Sequence, residues 1–169
     1  MNYIGIDPGL KGGLAAIMAG ELTLWPMPTI GDSEYDIWEL KKILEPFKGR
    51  SDVMVTFERQ HAMPGQGLTS AVKTGTGYGI LMGLIAGMDI QHNIIPAAHW
   101  QKRLFVGLSA NLDTKEKSEI VAKRLYPMAD FRRTSRSKKG HDGLYDATCL
   151  AHFGKITAVY ANQDQDRLL

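Results

Sequence analysis

A single cysteine, Cys149, is present among the 169 residues, which excludes an internal disulfide. A chain without disulfides is typical of a reducing compartment, and we expect Cys149 to be a small buried apolar residue and not a reactive thiol. No stretch comes near the roughly 18 to 20 consecutive apolar residues that cross a bilayer. The first residues lack the basic region and apolar core of a signal peptide. We therefore expect a cytoplasmic protein that does not contact membranes.

The chain also has little excess of charge of either sign. Lys and Arg number 20 and Asp and Glu number 18, so the formal net charge is +2 at pH 7 and the pI is about 8.6. Any surface for nucleic acid must therefore arise from local clustering of charge, because the sum is too small to indicate it. Hydrophobic residues make up 44% of the chain and charged residues 22%, the balance of an ordinary globular domain. This length is enough for one domain with a substantial core.

Hydrophobic periodicity predicts an α/β fold. Three apolar runs at 3–7, 12–18 and 22–27 predict an opening β-meander, and two later runs at 53–57 and 90–95 predict further strands. Helical patterns lie at 34–47, 68–88, 97–105, 114–126 and 141–153. This order predicts a five-stranded mixed sheet flanked by helices. We expect one domain over residues 1–154 and a polar tail over residues 155–169.

Four carboxylates occupy positions where such a fold presents side chains. Asp7 ends the first predicted strand and Glu58 follows the fourth, while Asp142 and Asp146 are four residues apart on one face of the last helix. The carboxyl ends of strands in an α/β sheet are where these folds place their sites. Carboxylate oxygens suit Mg²⁺, and a pair of such ions clamps a displacement at phosphorus. The pattern therefore predicts a two-metal centre that acts on phosphate esters.

Each acid also has a purely structural interpretation. Asp7 precedes Pro-Gly and suits a turn, Glu58 suits a salt bridge at a strand end, and Asp142 suits a helix N-cap. Asp146 is the hardest to explain in this way, because it lies within an apolar helix where a charge needs a partner or a metal. Taken together, the four positions favour metal binding.

A basic segment immediately precedes the acidic helix. Five cations fall within eight residues: Arg132, Arg133, Arg136, Lys138 and Lys139. Beside a site for phosphate chemistry, such a segment suits the backbone of a nucleic acid, whose contacts supply affinity and salt sensitivity. The alternative is a solvated loop that binds nothing.

The predicted helix at 68–88 is unusually rich in glycine. Gly75, Gly79, Gly83 and Gly87 recur every four residues and form one smooth stripe. Since a glycine costs about 1 kcal/mol in a helix interior, the stripe indicates close packing against another backbone. That backbone belongs either to a second copy of the chain, which predicts a homodimer, or to this chain's own sheet.

The order and spacing of several short motifs resemble those of RuvC-type Holliday-junction resolvases, particularly their phage-encoded members. The motifs are IGIDPGL at 4–10, GGLA at 12–15, TFERQ at 56–60, AVKTG at 71–75, WQK at 100–102, EKS at 116–118 and HDGLYDA at 141–147. The resemblance implies an RNase H-like fold. It also implies a homodimeric endonuclease that resolves four-way DNA junctions by paired symmetric nicks, in a host cytoplasm if the chain is phage-encoded.

The resemblance further implies a metal site. Its ligands would be Asp7, Glu58, Asp142 and Asp146, holding two Mg²⁺ ions with Mn²⁺ able to substitute. One departure concerns the last motif, because members commonly space the two closing ligands three residues apart, and position 143 here is glycine. Asp142, four residues before Asp146, is therefore assigned as the ligand, and His141 is a second candidate for proton transfer or phosphate contact.

Other positions acquire roles only through the resemblance. Lys117 is implied to be catalytic, and Lys102 is implied to lie near the scissile phosphate. The loop that follows Glu58 is implied to probe the centre of the junction through Met63, with His61 nearby, and Arg59 at its start is a further candidate for DNA contact. Loop residues without a ligand are the alternative for all three.

Three other functions fit parts of the pattern. An actin-like sugar or acetate kinase also has a strand followed by an Asp-x-Gly element, but it needs two such domains. An architectural junction-binding protein has no need of four carboxylates. A nuclease of the same fold that acts on other branched DNA, on flaps or on RNA–DNA hybrids is not distinguished by the sequence.

Overall fold

The computed structural model describes residues 1–31, 33–60, 65 and 67–166, with side chains as far as residue 158. Its strands are β1 (Asn2–Asp7), β2 (Gly13–Met18), β3 (Glu21–Pro26), β4 (Thr29–Ile30), β5 (Glu34–Tyr35), β6 (Val53–Glu58) and β7 (His92–Ile95). Five of them form one sheet in the order β3-β2-β1-β6-β7, while β4 and β5 pair with each other. Strand β2 is antiparallel to both β3 and β1, and β6 is parallel to both β1 and β7. The predicted five-stranded mixed sheet is confirmed.

The helices are α1 (Ile37–Leu44), α2 (Leu68–Gly87), α3 (Ala97–Leu104), α4 (Thr114–Leu125) and α5 (Asp142–Asp166). The prediction of a helix from residue 34 was wrong at its start, because Glu34 and Tyr35 pair with β4. Helix α1 begins only after Asp36, whose side chain caps it by accepting from the backbone N–H of Glu39. At the other end of the chain, α5 continues beyond residue 153 to Asp166, so the expected boundary at 154 does not coincide with the end of this helix.

The sheet has a different cover on each face. Alternate residues of β1 and β6, such as Ile4, Ile6 and Phe57, enter a core that α1 and α2 complete with Leu40 and Leu81. The side chains between them face α5. The two strands thus present every second residue, including the last one, to the long C-terminal helix.

Helix α5 lies unusually close to β1. A Cβ on Gly5 would collide with the backbone of Ala147, and one on Gly143 would collide with the backbone of Gly12. Only glycine permits this approach, which brings the first turns of α5 directly over the end of β1. The placement of the acidic helix is therefore fixed by backbone contact.

Helices α3 and α4 pack on the outer side of α5. Their shared core contains Trp100, Val121, Cys149 and Leu150. Cys149 is fully buried, as predicted, and burial raises the pKa of its thiol. Within the ranges that the structure describes, no helix combines the length and apolar character needed to cross a membrane.

The glycine stripe of α2 faces away from the protein. A Cβ added at Gly75, Gly79, Gly83 or Gly87 would meet no atom of the described residues within 4 Å beyond the backbone of α2 itself. The opposite side of the helix carries the buried residues Leu81 and Ile85, and Gly77, which makes room for the ring of Tyr35. The alternative that the stripe packs on this chain's own sheet was therefore wrong.

Candidate active site

Two of the predicted carboxylates leave the sheet side by side. Ile6 on β1 lies opposite Phe57 on β6, so the next residues, Asp7 and Glu58, stand at adjacent parallel strand ends. Neighbouring strands are about 4.8 Å apart. Because Ile6 and Phe57 point into the α1–α2 core, the side chains of Asp7 and Glu58 point to the opposite face, towards α5.

Asp146 on α5 completes this group. Burial, and then repulsion from Asp146 and Glu58, raise the pKa of Asp7 to about 8, against a hydrogen bond from the Gly9 backbone. Burial also raises the pKa of Asp146 to about 6; repulsion from Glu58 and Asp142 adds to the rise, and the nearby Ser118 hydroxyl opposes it. Three carboxylates from β1, β6 and α5 therefore share one partly buried space, and without a cation they resist joint ionisation.

Glu58 is held by a residue that the sequence did not single out. The indole Nε1 of Trp100 donates a hydrogen bond of 2.8 Å to Oε2 of Glu58, and Gln60 donates to Oε1 at 3.4 Å. Burial raises the pKa of Glu58, and these two hydrogen bonds oppose the rise. Trp100 is itself buried. One oxygen of Glu58 is thus oriented by the core, and the other accepts a longer hydrogen bond from Gln60.

Asp142 differs from the other three acids. Its side chain is 54% exposed, and Nζ of Lys115 on α4 forms an ion pair with Oδ2 at 2.7 Å. Together with Asp7 and Asp146 it lines a cleft of about 420 Å³. Asp142 therefore lies at the rim of the site and already has a cationic partner.

His141 lies in the same cleft, immediately before α5. Its backbone N–H donates to the carbonyl of Phe131 at 2.8 Å, which fixes its position. The Nδ1 atom is buried and has no hydrogen-bond partner within the described residues. Burial, and then the charge of Arg133, lower the pKa of His141. The imidazole is consequently neutral near pH 7.

The donor chemistry of the cleft suits a hard divalent cation. Asp7, Glu58 and Asp146 offer only carboxylate oxygens, the ligands that Mg²⁺ and Mn²⁺ prefer. Their mutual repulsion is what a bound cation would relieve. Among the residues with a described position, however, no three His, Cys, Asp or Glu side chains converge closely enough to hold one ion. The site has the right donors but not yet the closed geometry of a metal centre.

The structure places the predicted basic segment next to this cleft. An antiparallel bridge between Arg132 and Gly140 closes the loop at its base. Arg132 itself is paired with Asp130 at 2.7 Å. Lys138 and Lys139 line a second cleft of about 490 Å³, which also includes Lys115 and Asp142. The loop and the acidic group therefore share a border.

The remaining predicted positions are more scattered. Arg59, Arg136 and Lys102 are exposed, whereas Arg133 and Lys117 are half-buried. Lys117 precedes the buried Ser118 on α4, two residues from Lys115 and so about 200° around the helix. His61 and Met63 lie outside the described residues.

Two residues near the acids went unnoticed in the sequence. Trp100 donates to Glu58, and Lys115 pairs with Asp142. Lys115 carried a partial signal, because it lies one turn before Ser118 and Glu119 on the amphipathic α4. Which face of α4 meets α5 is a tertiary property, however, and no local pattern supplies it.

A mixed sheet of this order, with helices on both faces, is an RNase H-like α/β fold. Among solved structures the chain is similar to T. thermophilus RuvC in complex with Holliday junction substrate, with a TM-score of 0.64 and 17% identity over 95% of this chain and 96% of that chain. The Thermus thermophilus RuvC structure gives a TM-score of 0.62 and 18% identity over 95% and 97%. No family model matches the chain, and neither does any curated protein. The chain therefore has the fold of RuvC, as the motifs implied.

Proposed function

We propose that the chain is a metal-dependent, structure-specific DNA endonuclease that resolves four-way junctions. One observation carries this proposal. Carboxylates from β1, β6 and α5 share one end of the sheet. The fold of the chain, along 95% of its length, is similar to that of a RuvC solved with a Holliday junction. A fold alone does not specify a function, so the argument depends on the acids.

Each acid and its neighbours have a definite task. Asp7, Glu58 and Asp146, joined by Asp142, would hold two Mg²⁺ or Mn²⁺ ions per site. Such ions, when bound, activate water and stabilise the leaving 3′ oxygen of a phosphodiester, so that a 5′-phosphate remains. Trp100 orients Glu58 through the hydrogen bond to Oε2 and leaves Oε1 with the longer hydrogen bond from Gln60. Neutral His141 is suited to accept a proton or to contact a phosphate.

The cations around the cleft would hold the DNA backbone. Lys138 and Lys139 line a cleft together with Asp142, and Arg136 in the same loop is exposed. Phosphate contacts position a nucleic acid without reading its sequence, which suits recognition of a branched shape. The other proposed contacts are Arg59, His61, Met63, Lys102, Lys117, Arg132, Arg133 and His141.

Paired cleavage requires two sites, and we infer a homodimer formed through α2. A four-way junction is two-fold symmetric, so two matched nicks need a C₂ pair of active sites. The stripe of Gly75, Gly79, Gly83 and Gly87 is open to solvent, and no contact with the described residues compensates its entropic cost. A second copy packed on this stripe would supply that compensation.

Substitution in the stripe tests the homodimer. Since a Cβ at Gly79 meets nothing within 4 Å, Gly79→Leu should fold normally and still disrupt the dimer. Light scattering should give about twice the 18.7 kDa chain mass for the wild type and a single mass for the variant. Lys41→Leu, at an exposed position of α1, should stay dimeric. A wild type that remains monomeric on a junction would exclude paired symmetric cleavage.

A panel of labelled DNA substrates tests the activity itself. Four-way junction, flap, duplex and RNA–DNA hybrid should be incubated with and without Mg²⁺ or Mn²⁺. We expect two symmetric nicks in the junction, only with metal, and none with Asp7→Asn. Preferential cleavage of flaps or hybrids would support a nuclease of the same fold with another substrate. Absence of metal-dependent cleavage of every substrate would refute the proposal.

A further inference from the structure

Lys115 lies on the border between the 420 Å³ cleft that contains Asp7 and Asp146, here called the acidic cleft, and the 490 Å³ cleft beside Lys138 and Lys139, here called the basic cleft. It lines both of them, as does its partner Asp142. Lys115 extends from the first turn of α4, whose start is fixed by a capping box between Asp113 and Glu116. The base of the side chain is therefore held in place, while its ammonium reaches across to α5.

The ammonium of Lys115 occupies the place of a cation on Asp142. Nζ lies 2.7 Å from Oδ2 of Asp142, and the charge of Lys115 also opposes the rise in the pKa of Asp146. A divalent ion on the other oxygen of Asp142 would face this ammonium across the carboxylate, and the two positive charges would repel each other. The ion pair thus accounts for Asp142 standing at the rim, apart from the carboxylates that point into the cleft.

From this contact we infer that Lys115 is a positioning residue that competes with a divalent cation for Asp142. The inference rests on the proposed function. In the metal-free protein Lys115 neutralises Asp142 and limits its repulsion of Asp146. Metal entry displaces the ammonium towards the basic cleft, whose lining also includes the carboxylates of Glu116 and Glu119. Lys115 is hence distinct from Lys117, which lies about 200° away on the same helix.

The strength of the competition is bounded by exposure. The side chains of Lys115 and Asp142 are 70% and 54% exposed, so solvent screens their attraction. Exposed ion pairs of this kind shift an equilibrium by at most about fivefold. The pair therefore tunes metal affinity without blocking the site.

A double-mutant cycle read by Mn²⁺ binding tests this inference. Bound Mn²⁺ is measured by electron paramagnetic resonance on the full chain without DNA, so that activity is not the readout. Lys115→Met should bind Mn²⁺ about three- to fivefold more tightly than the wild type. In an Asp142→Asn background the same substitution should change affinity less than about twofold, because its target is gone. Lys42→Met, which breaks a comparable exposed pair with Glu39, should leave affinity unchanged.

The outcomes separate this inference from the proposed function. If the wild type binds no Mn²⁺, the proposed metal site itself is wrong. If the wild type binds Mn²⁺ but Lys115→Met does not bind it more tightly, the metal site stands and the competition is refuted. An equal gain in both backgrounds would also refute it, because Lys115 would then act through its general field and not through Asp142.

Discussion

The acidic cleft and the basic loop border each other but are built in opposite ways. Asp7, Glu58 and Asp146 stand on two central strands and the best-packed helix, in positions that backbone contacts fix. The loop at 132–140 is held at its base by one bridge, and most of its cations are exposed. Bringing the three carboxylates together therefore costs free energy of folding, and we expect them to act as a unit. The cations, in contrast, should contribute to DNA binding separately.

This difference predicts two kinds of mutational effect. Removing any one of the mutually repelling carboxylates should abolish the activity of the whole group, because each depends on the others. Exposed cations that contact phosphates should give modest effects that add. Comparing cleavage with binding in matched variants is the way to test whether the two regions divide the work in this manner.

The largest effect should follow from removing one carboxylate. We expect Asp7→Asn or Asp146→Asn to slow junction cleavage by at least about a thousandfold, because a bound metal supplies several kcal/mol of transition-state stabilisation. Junction binding should be unchanged or tighter, since a negative charge near phosphates is lost. Asp52→Asn, at an exposed position paired with Arg50, is the control and should cut normally. Near-wild-type cutting by either site variant would exclude this cleft as the active site.

A smaller effect should follow from Trp100→Phe. The substitution removes the hydrogen bond to Glu58, so the carboxylate loses its orientation and its pKa rises further. We expect cleavage about tenfold slower, in line with a hydrogen bond to a charged group, and an acidic limb of the pH–rate profile displaced to higher pH. Trp25→Phe, a similar loss of ring size at β3, should leave both unchanged. A uniform loss of rate with no displacement would indicate a packing role only.

The sequence predicted the acids better than their neighbours, for a physical reason. Asp7 and Glu58 could be found because they follow short apolar strands, and strand ends of a parallel pair meet at one edge. Trp100 and Lys115 act across helix packing, at separations of 42 and 27 residues from their partners. No periodicity within one segment reports which faces of α3 and α4 meet the site.

The two sets of glycines show the same limit. Gly5 and Gly143 lie where backbone meets backbone, and Gly79 and Gly83 face open space. The sequence indicated close packing only for the α2 stripe and did not single out Gly5 or Gly143, and the structure separates the contacts within the chain from the surface left open. The five-stranded sheet, by contrast, followed from apolar runs alone. The pattern missed the separate pair of β4 and β5, in which Glu34 and Tyr35 form a strand before α1 begins.

The basic loop should show a graded effect on binding. We expect the double change Lys138→Gln and Lys139→Gln to weaken junction binding roughly tenfold and to lower the slope of log K against log salt by about two, one for each phosphate contact. Arg132→Gln should change the slope less, because Arg132 is already engaged by Asp130. Binding titrations at several salt concentrations measure both. An unchanged slope in the double variant would make the loop a solvated surface without a role in binding.

The smallest effect concerns the thermal stability of the metal-free protein, which depends on the ionisation of Asp7. Burial raises the pKa of Asp7 to about 8 from 3.8, so Asp7 is protonated in the folded chain at pH values where it ionises in the unfolded one. Its stabilising contribution is complete below about pH 4 and is lost as the pH rises to about 8.

Asp7→Asn removes that loss. The variant should therefore exceed the wild type in melting temperature by an amount that grows from pH 5 to pH 8, reaching about 2–4 °C for a gain of about 1 kcal/mol in a domain of this size. Added Mn²⁺ should reverse the order, because it stabilises only the chain that binds it. Asp52→Asn should show no such gain, since the pKa of Asp52 is lowered by its hydrogen bond with Arg50. A gain in melting temperature for Asp7→Asn that does not vary with pH would mean that burial and the neighbouring carboxylates do not raise the pKa of Asp7.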